Sequence, residues 1–247
     1  MQKLSILSFV LLLFAAATIS SCSSISDKDF EVNGVKFRMI AVEGGSFMMG
    51  ATPGQGDDAK DNEKPAHKVT VDDFLIGETE VTQELWFAVM GNNPSYFKSD
   101  EGNLPVENVT WNDVQLFIKK LNEITNLQFR LPFESEWEYA ARGGKKSTDK
   151  KYAGCDDVDE VAWYKDNAGG KTHAVAAKKA NELGIYDMSG NVWEWCEDSF
   201  GADGGSFSCM RGASFANNPN ALESSFRFVY SIKNHHQMVG FRLALIR

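Results

Sequence analysis

Cysteines are the residues whose placement carries the most specific chemistry. Cys22 follows Ile19-Ser20-Ser21, an apolar residue and two small ones. That is the lipobox pattern, at which a lipoprotein signal peptidase cuts before a lipidated cysteine. Several acyl chains on one residue hold a protein stably at a membrane, because each buried methylene contributes roughly 0.8 kcal/mol and a single chain is marginal. The competing reading is an ordinary secretory signal with an incidental cysteine. Three further thiols, Cys155, Cys196 and Cys209, cannot all pair. A Cys196–Cys209 bridge would close the shortest loop, about a dozen residues, and contribute roughly 3 kcal/mol. Cys155 would then be a small buried hydrophobe, although the pairing stays open among the three. The four histidines, His67, His173, His235 and His236, show no pair one helical turn apart of the kind that binds metal. They read as loop and surface residues, with the His235-His236 doublet placed where it could line a pocket. No Ser-His-Asp order, phosphate-cradling loop or nucleotide fingerprint is present, and the Gly-Gly pairs read as turns.

These residues need a leader and a domain to position them. Lys3, the uncharged apolar stretch Leu4 to Ala17, and the small residues up to Ser21 make a secretory signal. The apolar stretch is shorter than the roughly 20 residues of a membrane-spanning helix. Residues 1–21 are therefore expected to be a cleaved signal, 22–34 the lipidated cysteine and a polar tether, and 35–247 one domain. The Ser26-Asp27-Lys28-Asp29 stretch resembles the acidic export tags of surface lipoproteins. The expected location is the bacterial cell envelope, lipid-anchored at the outer membrane and surface-exposed if the tag functions. The net charge of −9 over 247 residues makes nucleic acid and anionic membrane surfaces poor partners.

Within the domain, Val35-Lys36-Phe37-Arg38-Met39-Ile40 alternates as a half-buried strand does, and so does His67 to Val71. Phe47 to Gly50 and Phe74 to Ile76 are further extended runs, and residues 51–66 form a polar loop. Thr82 starts a helix over Gln83 to Met90, with Gly91 as its left-handed stop. Thr110 caps a second, with Asp113 in the first turn and a core stripe of Trp111, Val114, Phe117, Ile118 and Leu121. A third, short helix lies within Pro132 to Arg142, closed by Gly143-Gly144. Beyond residue 145 helical periodicity is absent, and Gly, Asn, Ser and aromatic residues dominate.

Several segments line up in order with one known family. Met39 to Gly50, Glu80-Val81-Thr82, Pro105 to Trp111, Arg130-Leu131-Pro132 through Gly144, Gly184 to Trp195, Arg211-Gly212-Ala213-Ser214-Phe215 and Gly240-Phe241-Arg242 resemble the formylglycine-generating, or sulfatase-modifying factor, family. The resemblance implies an α+β domain, a C-type-lectin-like variant fold with little regular secondary structure and two small sheets.

Members that oxidise cysteine carry two copper(I)-binding cysteines, three and eight residues after the serine of an Arg-Gly-Gly-Ser motif. A soft monovalent ion needs such thiolates. Here those positions are Asn217 and Leu222, so copper and copper-dependent cysteine oxidation are not expected, and the chain reads as a pseudoenzyme. The resemblance also implies a calcium site, with carboxylates from Asp187 and Glu194 and carbonyls from Gly190 and Val192, an oxygen set suited to that ion. The alternative is that both acids cap turns or pair with arginines. With the oxidation chemistry removed, the expected role is binding of an envelope protein or a glycan. Its candidate surface is the loop region 200–239, through Asn217, Asn218, Asn220, Tyr230 and Asn234. Two other readings are an oxidative maturation enzyme with redirected chemistry and a structural component of an envelope or secretion complex.

Overall fold

The computed structural model describes residues 25–53, 59–200 and 205–246. The expected signal segment and Cys22 lie outside the described residues, as does the start of the expected tether. A five-stranded sheet is ordered β1 (Lys28–Val32), β2 (Val35–Val42), β5 (Phe74–Gly77), β11 (Ala244–Ile246) and β6 (Phe129–Arg130). All its pairings are antiparallel. The strand nearest the C-terminus thus sits between β5 and β6, which lie more than a hundred residues earlier in the chain, closing the domain. Between β2 and β5 in sequence, β3 (Gly45–Met49) and β4 (His67–Val71) form a separate antiparallel pair. A four-stranded sheet is ordered β10 (Val239–Gly240), β7 (Trp193–Phe200), β8 (Phe207–Arg211) and β9 (Arg227–Ser231).

Residues 28–32, expected as tether, are a strand. Asn33 and Gly34 have φ of 51° and 88°, the positive values that a two-residue hairpin turn demands. They fold β1 back on β2. Phe30 stacks on Phe37 at 5.4 Å and meets Phe129 edge-on at 5.3 Å, so the domain begins before residue 35. The charges around Phe30 hid this short alternation.

The helices match expectation. α1 (Gln83–Met90) is capped by Thr82, whose Oγ1 accepts from the Leu85 amide, and stops at Gly91 with φ 75°. α2 (Trp111–Thr125) opens with a capping box in which Thr110 and Asp113 each accept from the other's amide. α3 (Glu134–Ala141) is short and almost wholly buried. One further turn, α4 (Val158–Val161), falls where no helix was expected, because four residues are too few to show periodicity. Trp86 of α1 stacks on Phe117 of α2 at 5.1 Å, and Phe241 meets both edge-on. That aromatic cluster ties the two helices to the chain leading into β11. No helix among the described residues is long and apolar enough to cross a membrane.

Candidate functional site

The turn leading into β7 holds a close group of buried charge. Asp187 and Gly190 adopt φ of 58° and 88°, and the chain doubles back tightly enough that a Cβ at position 190 would lie 2.3 Å from the Trp163 carbonyl oxygen. This places Asp187, Asn191 and Glu194 in the interior, all 3% exposed or less, beside Glu80 and Arg242. The Glu194 carboxylate accepts from Arg242 Nε and Nη2 and from Trp137 Nε1, each at 2.6 Å. Glu80 accepts from Asn191 Nδ2 at 2.7 Å and from the Val192 amide at 3.1 Å. Asp187 accepts from the Ala176 amide at 2.7 Å. Burial, followed by the charges of Asp187 and Glu194, pushes the Glu80 carboxyl well above its ordinary range. Burial likewise raises Asp187 to about 6.

The expected calcium set changes in this setting. Calcium takes six to eight oxygens, whereas three of the roughly four lone-pair positions on Glu194 already receive N–H donors. Glu194 is the counter-ion of Arg242, so the four residues do not fit calcium as placed. Among the described residues no group of three or more His, Cys, Asp or Glu side chains is arranged to hold a metal ion.

A second ionic network joins α3 to β8. Glu138 accepts from Arg211, from Arg142 Nε at 2.9 Å and from the Gly50 amide at 2.8 Å, while Glu134 pairs with Arg227. Arg211 is fully buried, with its guanidinium 5.4 Å from the Trp137 ring. A cavity of about 240 Å³ opens beside Glu138, walled by Met49, Glu63, Pro65, His67, Ser225 and Arg227. Neither network nor cavity contains a residue expected to bind ligand.

The positions that would carry the oxidation thiols are built for other duties. Asn217 Oδ1 accepts from the Ser214 amide at 3.0 Å and from Ser214 Oγ at 2.6 Å, which fastens the turn after β8. Leu222 is fully buried in the core cluster. Of the residues expected at a ligand surface, Asn218 and Asn220 are exposed on that same turn, and Asn218 Oδ1 accepts from Lys165 Nζ at 3.3 Å. Tyr230 lies on β9 and stacks on Trp195 at 5.9 Å. Asn234 is exposed in the turn beyond β9. The expected residues therefore fall into two groups, one on the 214–220 turn and one on β9 and its exit.

Sequence reading missed the aromatic residues that surround these groups. Tyr96, 67% exposed, packs on Phe97, which meets Phe215 edge-on at 5.4 Å and so brings the 93–97 segment to the 214–220 turn. Phe228, 46% exposed, lies against both Trp193 and Tyr230. Val229 and Phe207, on β9 and its neighbour β8, are exposed to a similar extent. The β8–β9 register puts Phe207 and Val229 on one face of the sheet and Phe228 on the other, beside Tyr230. Glu80 was seen only as the lead-in to α1, and nothing local to its sequence shows the acids it meets. His173 is not a plain loop residue, since its ring stacks on Trp163 at 3.8 Å with Lys178 Nζ 4.2 Å from the Trp163 ring centroid. Cys196 and Cys209 are fully buried free thiols, and Cys155 is partly exposed with its Sγ 3.4 Å from a Glu160 oxygen.

Sheets of five, four and two strands, one more than the two small sheets expected, with three principal helices and a loop-rich second half, define the α+β, C-type-lectin-like scaffold of formylglycine-generating proteins, here with asparagine and leucine at the thiol positions. Residues 28–246 match the family described as sulfatase-modifying factor enzyme 1-like domain, and the chain belongs to that family. It is 38% identical over 236 residues to chaperone protein LppX of Paenibacillus barcinonensis, covering 75% of this chain and 78% of that one. It is 25% identical over 243 residues to inactive C-alpha-formylglycine-generating enzyme 2 of Bos taurus, covering 74% of this chain and 78% of that one. Among solved structures, Treponema denticola variable protein 1 superposes with a TM-score of 0.78 at 34% identity, over 89% of this chain and 98% of the other.

Proposed function

We propose that this protein is an envelope lipoprotein whose domain binds other proteins, in the manner of a chaperone, and does not oxidise cysteine. The observation that carries the proposal is the use made of the two thiol positions. Asn217 holds a turn and Leu222 fills the core, so the place where copper would be held is occupied by structural duties. The exposed aromatic residues Tyr96 and Phe228 supply contact area of the kind that partner chains bury. A relative named as a chaperone and another named as inactive support the same reading. The lipid anchor at Cys22 would keep this surface at the membrane.

The test is light scattering of a chemically unfolded model protein diluted into buffer, with and without the full chain. The wild-type chain suppresses aggregation, and a Tyr96→Ser/Phe228→Ser variant of equal stability does not. Equal suppression by both would remove the surface from the proposal. Binding to a glycan array in place of unfolded protein would replace the partner class. Aldehyde formed on a cysteine peptide with copper and oxygen would refute the non-oxidising reading outright.

A further inference from the structure

We infer that Cys196 and Cys209 are a matched cross-strand pair that becomes a disulfide when the protein meets a disulfide oxidant. The observation is the ladder between β7 and β8. Trp195 pairs with Met210, and the register then slips so that Ser199 pairs with Ser208. Cys196 and Cys209 are the next residue on each strand beyond the Trp195–Met210 rung, where the register begins to slip. Opposed residues of antiparallel strands have Cα atoms about 4.5–5.5 Å apart, inside the window that a disulfide spans. Both side chains are fully buried and point into the same apolar cluster, with Trp137, Met188 and Ile76. The neighbouring Cys209 adds to the burial that pushes the Cys196 thiol up, and the Cys209 thiol donates to the Met210 carbonyl at 3.7 Å. Cys155 offers no such geometry, since its sulfur is engaged by the Asp157 amide and the Glu160 carboxyl.

The exchange is a two-step thiol–disulfide reaction. Cys196 gives its proton to solvent and its thiolate attacks one sulfur of the oxidant, a glutathione or protein disulfide. One thiolate leaves, and a mixed disulfide remains on Cys196. Cys209, deprotonated in turn, attacks the Cys196 sulfur and expels the second thiolate. Two thiols of the chain are oxidised and one disulfide is reduced to two thiols. Burial pushes the Cys196 thiol up and strongly disfavours the attacking thiolate in the closed fold. The reaction therefore belongs to folding, or to a local opening of the β7–β8 ladder, and the completed bridge is then shielded from reductant. Encounter with such an oxidant in the cell rests on the reading of residues 1–21 as an export signal, because oxidising compartments lie outside the cytosol.

The experiment uses the purified full chain in two states: as isolated from cells with thiols trapped at lysis, and after complete reduction followed by oxidised glutathione under mildly denaturing conditions. Peptides are mapped after alkylation without reductant. The glutathione arm is expected to give one species, a Cys196 peptide linked to a Cys209 peptide and lighter by two hydrogens, with Cys155 alkylated. Its melting temperature should exceed that of the reduced chain by several degrees, and Cys155→Ala should form the same link. Alkylated Cys196 and Cys209 in that arm, or any link through Cys155, overturns the pairing. The as-isolated arm tests export separately: a link present there supports both readings, whereas a link absent there but formed with glutathione leaves the pair intact and refutes export.

Discussion

Glu194 and Arg242, 48 positions apart in the chain, meet through two hydrogen bonds of 2.6 Å with neither side chain exposed to water. Arg242 also donates to the Gly77 and Tyr186 carbonyls, so one guanidinium fastens the start of β7, the end of β5 and the turn before Asp187. Removing one partner of a buried pair leaves the other charged and uncompensated, at a cost of about 3–5 kcal/mol. Glu194→Gln is therefore expected to lower stability by that amount in urea unfolding. Glu194→Gln combined with Arg242→Met should recover a substantial part of the loss. A double variant no more stable than the single one would show that Arg242 acts mainly through the carbonyls.

Glu107 gives the protein a pH dependence in a definite direction. Its carboxyl accepts from the Phe97 amide at 2.8 Å, and its own amide donates to Ser95 Oγ. Burial raises it from 4.5 to about 7. The folded state thus holds this proton more tightly than the unfolded chain does, and the associated stability is present below pH 4.5 and lost as pH rises through 7. Glu107→Gln should flatten the stability profile between pH 5 and 8. The measurement is the urea midpoint as a function of pH, and an unchanged slope would show that Glu107 stays ionised in the fold.

Ala213 stands where the family's motif has its second glycine, and it adopts φ 59°. A left-handed conformation costs a residue with a Cβ roughly 1–2 kcal/mol, offset in part by the greater unfolded-state freedom of glycine. Ala213→Gly is expected to raise stability by about 0.5–1 kcal/mol, read as a higher melting temperature. A lower one would show that packing of the Ala213 methyl outweighs the strain.

Much of this architecture is legible locally. Thr82 with Gly91, and Thr110 with Asp113, fix both ends of α1 and the start of α2 because caps are chosen by residues within one turn. The Val35 and His67 strands show in alternation alone. The site is legible only in part, because its contacts are long-range. Glu80 meets Asn191 across 111 positions, and Trp137 meets Glu194 across 57. No periodicity records such encounters. Glu194 in isolation looks equally suited to a cation and to an arginine, and only Arg242 at 2.6 Å decides between them. β1 was missed because its apolar residues, Phe30 and Val32, sit among Asp29 and Glu31 within a stretch whose charge suggested tether.

The proposed binding role of Tyr96 makes a separate prediction about stability. Tyr96 is 67% exposed, and surface substitutions usually change stability by 0.5 kcal/mol or less. Tyr96→Ala should therefore leave the melting temperature almost unchanged while weakening capture of unfolded protein. Titration of an unfolded, fluorescently labelled model protein measures this directly. A large fall in melting temperature would assign Tyr96 to holding the 93–97 segment, through Phe97 and Phe215, and not to binding.

Leu222 distinguishes a lost active site from a latent one. If the position were a vestigial ligand pocket, truncating its side chain would be tolerated. It is instead fully buried, its carbonyl accepts from Ser189 Oγ at 2.9 Å, and its side chain packs in the main core cluster. Leu222→Ala is expected to cost about 2–5 kcal/mol, the range for emptying a leucine from a packed core. Asn217→Ala should cost less, about 1 kcal/mol, for two lost hydrogen bonds at a partly exposed turn. Replacing both by cysteine would add the costs of a cavity and a loosened turn before any copper could bind. The double cysteine variant should therefore be less stable than wild type without metal and form no aldehyde on a cysteine peptide. Gain of that activity would mean that the scaffold keeps the rest of the oxidation machinery and lacks only its thiols.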